Sequence, residues 1–189
     1  MRRNSLEFAR HSNRIVAGLV VAMLAAAQIP GPARGAERDS ALEYRVKAAF
    51  LYNFAKFVEW PAQDTGPIVL GVLGQDPFGA ILDQTVEQKT INGRPVVIRR
   101  FAIVPQGKEC HIVFVGASEK ARFAEILPRL ANVGILTVGE RRGFLQAGGM
   151  VNFVVEDNNV HFEINPDAVR HAGIHISSNL LKLSRGGRE

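Results

Sequence analysis

The sequence predicts an α/β fold class, a layered sandwich in which a mixed, mostly parallel sheet is flanked by helices and has a C-terminal β-hairpin edge. Short, unbroken apolar runs alternate with segments of helical periodicity, which is the pattern of parallel strands covered on both faces. Two later apolar runs, 150–155 and 160–164, are separated by Asp157, Asn158 and Asn159, residues that tolerate the positive φ angles of a hairpin turn. These two observations together predict a parallel sheet that ends in an antiparallel pair.

The first element is an amphipathic helix that follows a capping signal. Ser40 and Glu43 fit a capping box, so we predict that the helix begins there. Pro61 is expected to stop it just after Trp60. Apolar residues at three- and four-residue steps predict its buried face: Leu42, Val46, Ala49, Phe50, Phe54, Phe57 and Val58. Charged residues are expected to fall elsewhere on this helix: Glu43, Arg45, Lys47 and Lys56.

Four apolar runs predict the strands that precede the hairpin. They are 68–73, 95–101, 111–115 and 135–138. The loop 74–79 is expected to open a helix that continues to about Gln88, and Asn92-Gly93 predicts a turn before the second strand. A helix over 119–132, capped by Ser118 and kinked or divided by Pro128, is predicted between the third and fourth strands.

The end of the chain has clear helix-start signals. Asn165, Pro166 and Asp167 supply an N-cap, a proline at the first helical position and an acidic first turn. Gly173 is expected to break this helix. A last helix is predicted after a cap at Ser177 or Ser178, with three leucines: Leu180, Leu181 and Leu183.

The first 36 residues are predicted to be a secretory signal peptide. Basic residues precede a 13-residue uncharged apolar run, 15–27, and small residues follow it. The run is shorter than the roughly 20 residues that span a bilayer as a helix. Cleavage is expected near residues 27–36, with no cysteine there for lipid attachment. We expect a periplasmic protein in which residues 37–189 form a single domain.

Removal of the signal peptide changes the charge balance. The full chain carries a formal net charge of +5, but the segment expected to be lost holds five arginines and one glutamate. The mature chain then has 18 basic and 17 acidic residues, a net charge of about +1. The sequence therefore gives no reason to expect nucleic-acid binding.

Cys110 is the only cysteine in the sequence. An exported chain with one cysteine has no intramolecular disulfide, so packing has to supply the stability. Cys110 directly precedes an apolar run and is predicted to be a buried, inert thiol. Pairing between two chains stays open as an alternative.

The candidate ligand site is a crevice at the strand ends. The loop 74–79 has the glycine spacing of a phosphate-binding loop, but Ala80 and Ile81 occupy the positions of the essential Lys and Ser/Thr. If the strands are parallel, three loops lie outside their carboxyl ends, where open α/β sheets bind ligands. The alternative for Arg141 and Arg142 is that they lie in a solvated loop without a ligand. The alternative for the glycines of the loop 74–79 is that they only form a turn that opens a helix. The candidate residues are Gly74, Asp76, Ser118, Glu140, Arg141 and Arg142.

The sequence contains no recognisable catalytic set or metal site. No serine lies in a nucleophile elbow, and Cys110 stands at a strand entrance. His171 and His175 are four residues apart, but Gly173 lies between them and no third ligand is near. We therefore predict a protein that is not an enzyme and that needs no cofactor and no metal.

Four segments resemble the YfiR family of exported bacterial proteins. They are the first helix with its Trp-Pro end, 46–61, the strand and turn 68–79, the strand 110–115 and the block 135–183. Within the block, most of the likeness is carried by 136–139, Phe144, 148–150, Phe153 and 162–165. Together they cover nearly the whole mature chain in the same order, and they consist of packing and turn residues.

The resemblance implies a regulator that represses an inner-membrane diguanylate cyclase by binding its periplasmic sensor domain. Lower cyclic-di-GMP and restrained biofilm formation would follow. It also implies a homodimer and an outer-membrane lipoprotein that sequesters the repressor. The best-known members contain stabilising cysteine pairs, and this chain has only Cys110. The alternative function is a periplasmic small-molecule receptor that uses the loop crevice, and a hydrolase is the third hypothesis.

Overall fold

The computed structural model of the chain describes residues 33–60, 65–106, 109–131 and 133–186. Residues 1–32, which contain the apolar run of the predicted signal peptide and part of its predicted cleavage region, 27–36, lie outside the described residues. The helices are α1 (Ala33–Phe57), α2 (Ala80–Val86), α3 (Phe123–Leu130), α4 (Pro166–His171) and α5 (Ser178–Leu183). The strands are β1 (Val58–Glu59), β2 (Ile68–Leu73), β3 (Thr90–Ile91), β4 (Arg94–Phe101), β5 (Ile112–Val115), β6 (Leu136–Gly139), β7 (Val151–Glu156), β8 (Asn159–Ile164) and β9 (His175–Ile176).

Seven of these strands form one sheet in the order β3-β4-β2-β5-β6-β7-β8. The five strands from β4 to β7 in that order are parallel, and β3 and β8 are antiparallel to their neighbours at the two edges. The remaining two strands, β1 and β9, form a separate antiparallel pair. The predicted fold class, with its mostly parallel sheet and its C-terminal hairpin at one edge, is confirmed.

The sheet has apolar layers on both faces. One layer contains α1 and α2 side chains such as Phe54 and Leu82. The other contains α3 side chains such as Ile126 and the ring of Phe144. Successive residues of a strand point to opposite faces, so fully buried strands such as β2 and β5 contribute to both layers. Among the described residues, no helix has the length and apolar character needed to cross a membrane.

Both predicted ends of α1 are wrong. Ser40 lies inside the helix, which already includes Ala33, the first described residue, so the capping signal does not start the helix. The helix ends at Phe57 rather than at Trp60, because the next two residues pair with β9 as a short strand. The Trp60 indole N–H instead donates to the Ala55 carbonyl oxygen at 3.2 Å and helps to close the helix end.

The predicted buried face of α1 is displaced. Leu42 is 63% exposed, Val46 is 36% exposed and Ala49 is exposed, although the periodicity placed all three in the core. Lys47, which was expected to fall away from the core face, is only 2% exposed. The sheet contacts a strip of the helix that is offset from the predicted one: Lys47, Ala48, Leu51, Phe54 and Ala55. Inside the fold, Lys47 pairs with Glu140, a partner from the loop after β6 that the helix sequence alone does not reveal.

The connection between β5 and β6 also differs from the prediction. Ser118 does not cap a helix over 119–132; it lies inside a 3₁₀ segment, Ala117–Arg122, that precedes α3. Its hydroxyl oxygen accepts from the Gln75 N–H of another loop, its O–H donates to the Glu119 carboxylate at 3.1 Å, and it caps no backbone N–H of the helix start. Pro128 lies within α3, and the change of helix type occurs at Phe123, well before the proline. Buried apolar side chains hold α3 against the sheet despite the proline: Phe123, Ile126, Leu127 and Leu130.

The other turn and cap predictions are confirmed. Asn92 and Gly93 have positive φ and join β3 to β4, and Asp157 and Asn158 have positive φ and join β7 to β8. The Asn165 side chain accepts a bond from the backbone N–H of Ala168 at 3.0 Å, with Pro166 at the first position of α4. Gly173 has a φ of 67° and follows the end of that helix. The Ser177 side chain caps α5 by accepting from the Leu180 N–H.

Cys110 is 3% exposed and packs in the layer that contains α3. Burial, aided by the charge of Glu109, raises the pKa of its thiol to about 12. A thiol with this pKa is almost entirely protonated at neutral pH and is a poor nucleophile. The predicted burial of the thiol is therefore confirmed, and its raised pKa agrees with the predicted low reactivity.

Candidate functional site

The carboxyl ends of β2, β5 and β6 lie at one edge of the sheet, because the three strands are adjacent and parallel. The loops that follow them are 74–79, 116–118 and 140–142. Strand order reverses at β2, since β4 lies on one side of it and β5 on the other. The boundary between β2 and β5 is therefore the topological switch point at which open α/β sheets bind ligands. We call the space beside the loops that follow these two strands, 74–79 and 116–118, the switch-point crevice.

In this crevice the loop amides bond to groups of the chain itself. The Gln75 N–H donates to the Ser118 hydroxyl oxygen at 3.0 Å. The Phe78 and Gly79 N–H groups both donate to Oδ1 of Asp76, at 2.7 and 3.3 Å. A phosphate loop would direct such N–H groups at its ligand. Here the side chains of Ser118 and Asp76 take the place that an anion's oxygens would take.

Arg100 fixes the same loop from the end of β4. Its guanidinium bonds to Oδ2 of Asp76 at 2.8 Å, to Oδ2 of Asp83 at 2.6 Å and to the Gly79 carbonyl oxygen at 3.1 Å. The hydrogen bond from Arg100 holds the pKa of the Asp83 carboxyl below its ordinary value. Asp76 therefore serves as an acceptor for the loop backbone and for Arg100.

Glu140, the candidate residue that follows β6, bonds to α1. Its Oε2 is 2.7 Å from Nζ of Lys47, and its Oε1 accepts from the Tyr44 hydroxyl at 3.2 Å. Lys47 also pairs with Glu43, one helical turn earlier. The side chains of Lys47 and Glu140 are only 3% and 7% exposed, whereas Glu43 is 31% exposed. Glu140 is thus the buried counterion of Lys47.

Tyr44 connects the two halves of the predicted crevice. Its ring packs edge-on against Phe78, with centroids 5.3 Å apart, while its hydroxyl bonds to Glu140. Burial and the neighbouring Glu140 carboxylate raise the pKa of the Tyr44 phenol well above its ordinary value. Nζ of Lys47 lies 4.7 Å from the centre of the Tyr44 ring. Side chains of α1 therefore cover part of the edge at which a small ligand was expected.

Sequence reasoning missed Tyr44 and Lys47 as site residues. One signal was present, because Lys47 is four residues after Glu43 and has apolar neighbours in Val46 and Ala48. A lysine inside such a run is either solvated at the margin of the apolar face or buried with a partner. The sequence did not choose between these, since the partner Glu140 is distant along the chain.

Arg141 and Arg142 are both exposed. Arg142 lines an open depression of about 300 Å³ together with Glu140, Asn152 and Glu163. Asn152 is 7% exposed, and among the described residues its side-chain oxygen has no hydrogen-bond partner. Its amide nitrogen donates weakly to the Phe153 carbonyl oxygen at 3.3 Å. In the described part of the chain, no group of three or more His, Cys, Asp or Glu residues has a spacing that would hold a metal ion.

A second concave surface lies between α1 and the turn of the β7–β8 hairpin. Its volume is about 450 Å³, and we call it the α1–hairpin groove. One wall is Asp39, Leu42, Glu43, Val46 and Phe50 of α1. The other wall is Val155, Asn158, Asn159, Val160 and His161 of the hairpin.

The groove contains exposed large apolar side chains. Leu42, Val46 and Val155 are 63%, 36% and 44% exposed. An exposed apolar cluster with a polar rim is typical of a surface that contacts another protein. Sequence reasoning placed Leu42 and Val46 in the core and so did not identify this surface.

The chain matches a known protein family. The model of the YfiR/HmsC-like family matches residues 44–185. The matched segment is well over half of the chain and contains every strand of the seven-stranded sheet, as well as Tyr44, Lys47 and Glu140. A search of curated proteins finds no match to the chain.

Proposed function

The chain belongs to the YfiR/HmsC-like family, and we propose that it is an exported repressor of an inner-membrane diguanylate cyclase. It would bind the periplasmic sensor domain of the cyclase, lower the synthesis of cyclic-di-GMP and so restrain biofilm formation. The observation that carries this proposal is the family match over residues 44–185. The family is periplasmic, and membership in it suggests a regulator of a diguanylate cyclase.

The distribution of polar and apolar groups supports a protein partner. In the switch-point crevice, the side chains of Ser118 and Asp76 accept hydrogen bonds from the loop N–H groups that would otherwise bind a small anion. In the α1–hairpin groove, large apolar side chains are exposed to solvent. Recognition of a protein requires such apolar surface, and catalysis requires a positioned reactive group. The family is a regulatory, non-catalytic one, and we propose that this chain likewise acts by binding and not by turnover.

Export and assembly belong to the same proposal. Residues 1–36 would act as the signal peptide, and residues 37–189 would be the mature single-domain regulator. The mature chain would form a homodimer and would be released from the cyclase when an outer-membrane lipoprotein sequesters it. Because Cys110 is the only cysteine, we propose that no intramolecular disulfide controls the folding of this protein.

Deletion of the gene tests the proposed function. We expect cyclic-di-GMP and attached biomass to rise in the deletion strain and to return to the wild-type level when the full-length gene is restored. Affinity purification of the tagged protein from solubilised membranes should recover a diguanylate cyclase. Unchanged cyclic-di-GMP on deletion, together with no cyclase recovered, would defeat the repressor function.

One observation favours the alternative of a small-molecule receptor. Asn152, whose buried side-chain oxygen has no partner among the described residues, lines a depression that Arg142 also lines. A small ligand that carries both an N–H group and a carboxylate would match this pair of groups. Retention of such a metabolite by the purified protein through gel filtration, and its loss in Arg142→Ala, would favour the receptor.

A further inference from the structure

The α1–hairpin groove arises from the displaced face of α1. Leu42, Val46 and Phe50 follow the helical spacing of an apolar face, but the sheet contacts the neighbouring strip of the helix. The first two therefore stay exposed, and Phe50 lies half-buried at the base of the groove. Leaving Leu42 and Val46 in water forgoes the stabilisation that burial of large apolar side chains supplies.

The walls of the groove are parts of the folded core. Phe50 packs against Phe54, Phe153 and Phe162, with ring centroids 5.3 to 6.1 Å apart. On the other wall, Val155 and Val160 are cross-strand partners in the β7–β8 ladder. A concave surface built on packed rings and a strand pair is pre-formed, so a partner does not have to order it.

The charges in the groove have one sign. The formally charged side chains that line it are Asp39 and Glu43, and none of the described lining residues is lysine or arginine. His161 is the one other titratable lining residue. Glu43 already pairs with Lys47, which leaves Asp39 as the carboxylate at the outer end of the groove. The surface therefore complements an apolar segment that carries a positive charge.

The edge of β8 limits what kind of segment can bind. The backbone N–H of Arg185 donates to the Phe162 carbonyl oxygen at 2.8 Å, and the Arg185 side chain pairs with Glu156. The chain after α5 thus occupies part of the outer edge of β8, and a partner strand cannot pair along its whole length. The groove wall from Asp39 to Phe50 is about 16 Å long at 1.5 Å per helical residue, which suits about three turns of a partner helix.

We propose that the α1–hairpin groove is the docking surface for an amphipathic helix of the partner protein. Apolar side chains of that helix contact Leu42, Val46 and Val155, and a lysine or arginine of the helix lies beside Asp39. The identity of the partner as the membrane diguanylate cyclase rests on the proposed function. The location and the chemistry of the surface rest on the exposed apolar residues and the acidic lining.

Binding of the detergent-solubilised, full-length cyclase to variants of this protein tests the proposal. We expect Leu42→Glu and Val46→Glu each to weaken the affinity at least tenfold, and Asp39→Lys to weaken it more at low salt than at high salt. Ile103→Glu and Leu183→Glu are matched controls, because these residues are 73% and 67% exposed outside the groove. The controls should bind like the wild type.

The outcomes separate the surface from the function. If the wild type binds the cyclase and the Leu42 and Val46 variants bind it equally well, the groove assignment is wrong and the proposed function stands. If the wild type does not bind the cyclase, the proposed function fails and this partner assignment fails with it. If Leu42→Glu converts a dimer to a monomer in sedimentation while cyclase binding is unchanged, the occupant is a second copy and the proposal is overturned.

Discussion

The switch-point crevice and the α1–hairpin groove use the chemistry of this chain in opposite ways. At the crevice, the Ser118 hydroxyl and the Asp76 carboxylate accept the loop N–H groups, and Arg100 binds Asp76 in turn. In the groove, Leu42 and Val155 stay exposed although both belong to well-packed elements. One region has its polar groups satisfied internally, and the other has apolar surface left uncovered.

This difference bears on what kind of molecule the protein recognises. A small polar ligand at the crevice would have to displace bonds that Ser118, Asp76 and Arg100 already make. A protein segment at the groove would cover apolar surface that is already exposed. The fold is one that often binds small ligands at its switch point, but its exposed surface favours a protein partner. Substitutions at the crevice should therefore lower the stability of the protein, and substitutions in the groove should lower its affinity for a partner with little effect on stability.

Among the changes at the crevice, the largest loss of stability is expected from Lys47→Met. It removes the buried partner of Glu140, and breaking a buried ion pair on one side costs about 3–5 kcal/mol. The free energy of unfolding measured in urea should fall by this amount. The matched variant Lys47→Met with Glu140→Gln should recover part of the loss, because no buried charge is left unpaired. An equal loss in both would show that packing, and not the charge, is responsible.

Gly74→Ala should be the next most damaging change. Gly74 has a φ of +85°, and a Cβ there would lie 2.5 Å from the Ser118 hydroxyl oxygen. Backbone strain and the close contact together should cost about 2–3 kcal/mol. Gly143→Ala is the matched control, because its φ is +92° but nothing lies within 4 Å of the added Cβ, so about 1 kcal/mol is expected. Equal melting temperatures for the two variants would contradict a tightly closed crevice.

Ser118→Ala should lower the free energy of unfolding by about 1 kcal/mol, because it removes the acceptor of the Gln75 N–H. Hydrogen exchange of the Gln75 amide gives the local readout, and its protection should fall in the variant. If the crevice bound an anion in place of Ser118, added phosphate would restore the lost stability. We expect no such restoration.

The bonds from Arg100 to Asp76 and Asp83 should make a small, pH-dependent contribution to the free energy of unfolding. Arg100 lowers the pKa of Asp83, so the stabilisation is present above the ordinary carboxyl pKa and is lost as the pH falls through the lower folded-state value. Asp83 is half exposed, which limits the effect to about 0.5 kcal/mol at pH 7. The difference in unfolding free energy between the Arg100→Ala variant and the wild type should therefore be larger at pH 7 than in acid, where only the bond to the Gly79 carbonyl oxygen persists. A difference that stays constant down to strong acid would exclude the ion pair as its source.

The smallest effect on stability is expected in the groove. Leu42→Glu should change the free energy of unfolding by no more than about 0.5 kcal/mol, because the side chain is 63% exposed. The same change at Leu51, a leucine of the same helix that is only 1% exposed, is the contrasting control: Leu51→Glu should unfold the protein. A large loss of stability in Leu42→Glu would show that this residue belongs to the core.

The sequence predicted local features well and distant partners poorly. The turn at Asn92-Gly93, the cap at Asn165 and the mostly parallel direction of the strands were predicted from residues that are close in sequence. The burial of Lys47 depends on Glu140, and the hydrogen bond of Ser118 depends on Gln75, and both partners are remote along the chain. Hydrophobic periodicity predicted that α1 has an apolar face, but it did not predict which strip of that face the sheet would cover. The groove exists because the sheet leaves Leu42 and Val46 of that face exposed.

Photo-crosslinking in cells tests the central claim most directly. A photoreactive amino acid would replace Val46 in the groove or, as the control, exposed Ile103 outside it. We predict that position 46 forms a crosslink to the membrane diguanylate cyclase and that position 103 does not. A crosslink to the cyclase from position 103 but not from position 46, or only a homodimer from position 46, would contradict the account.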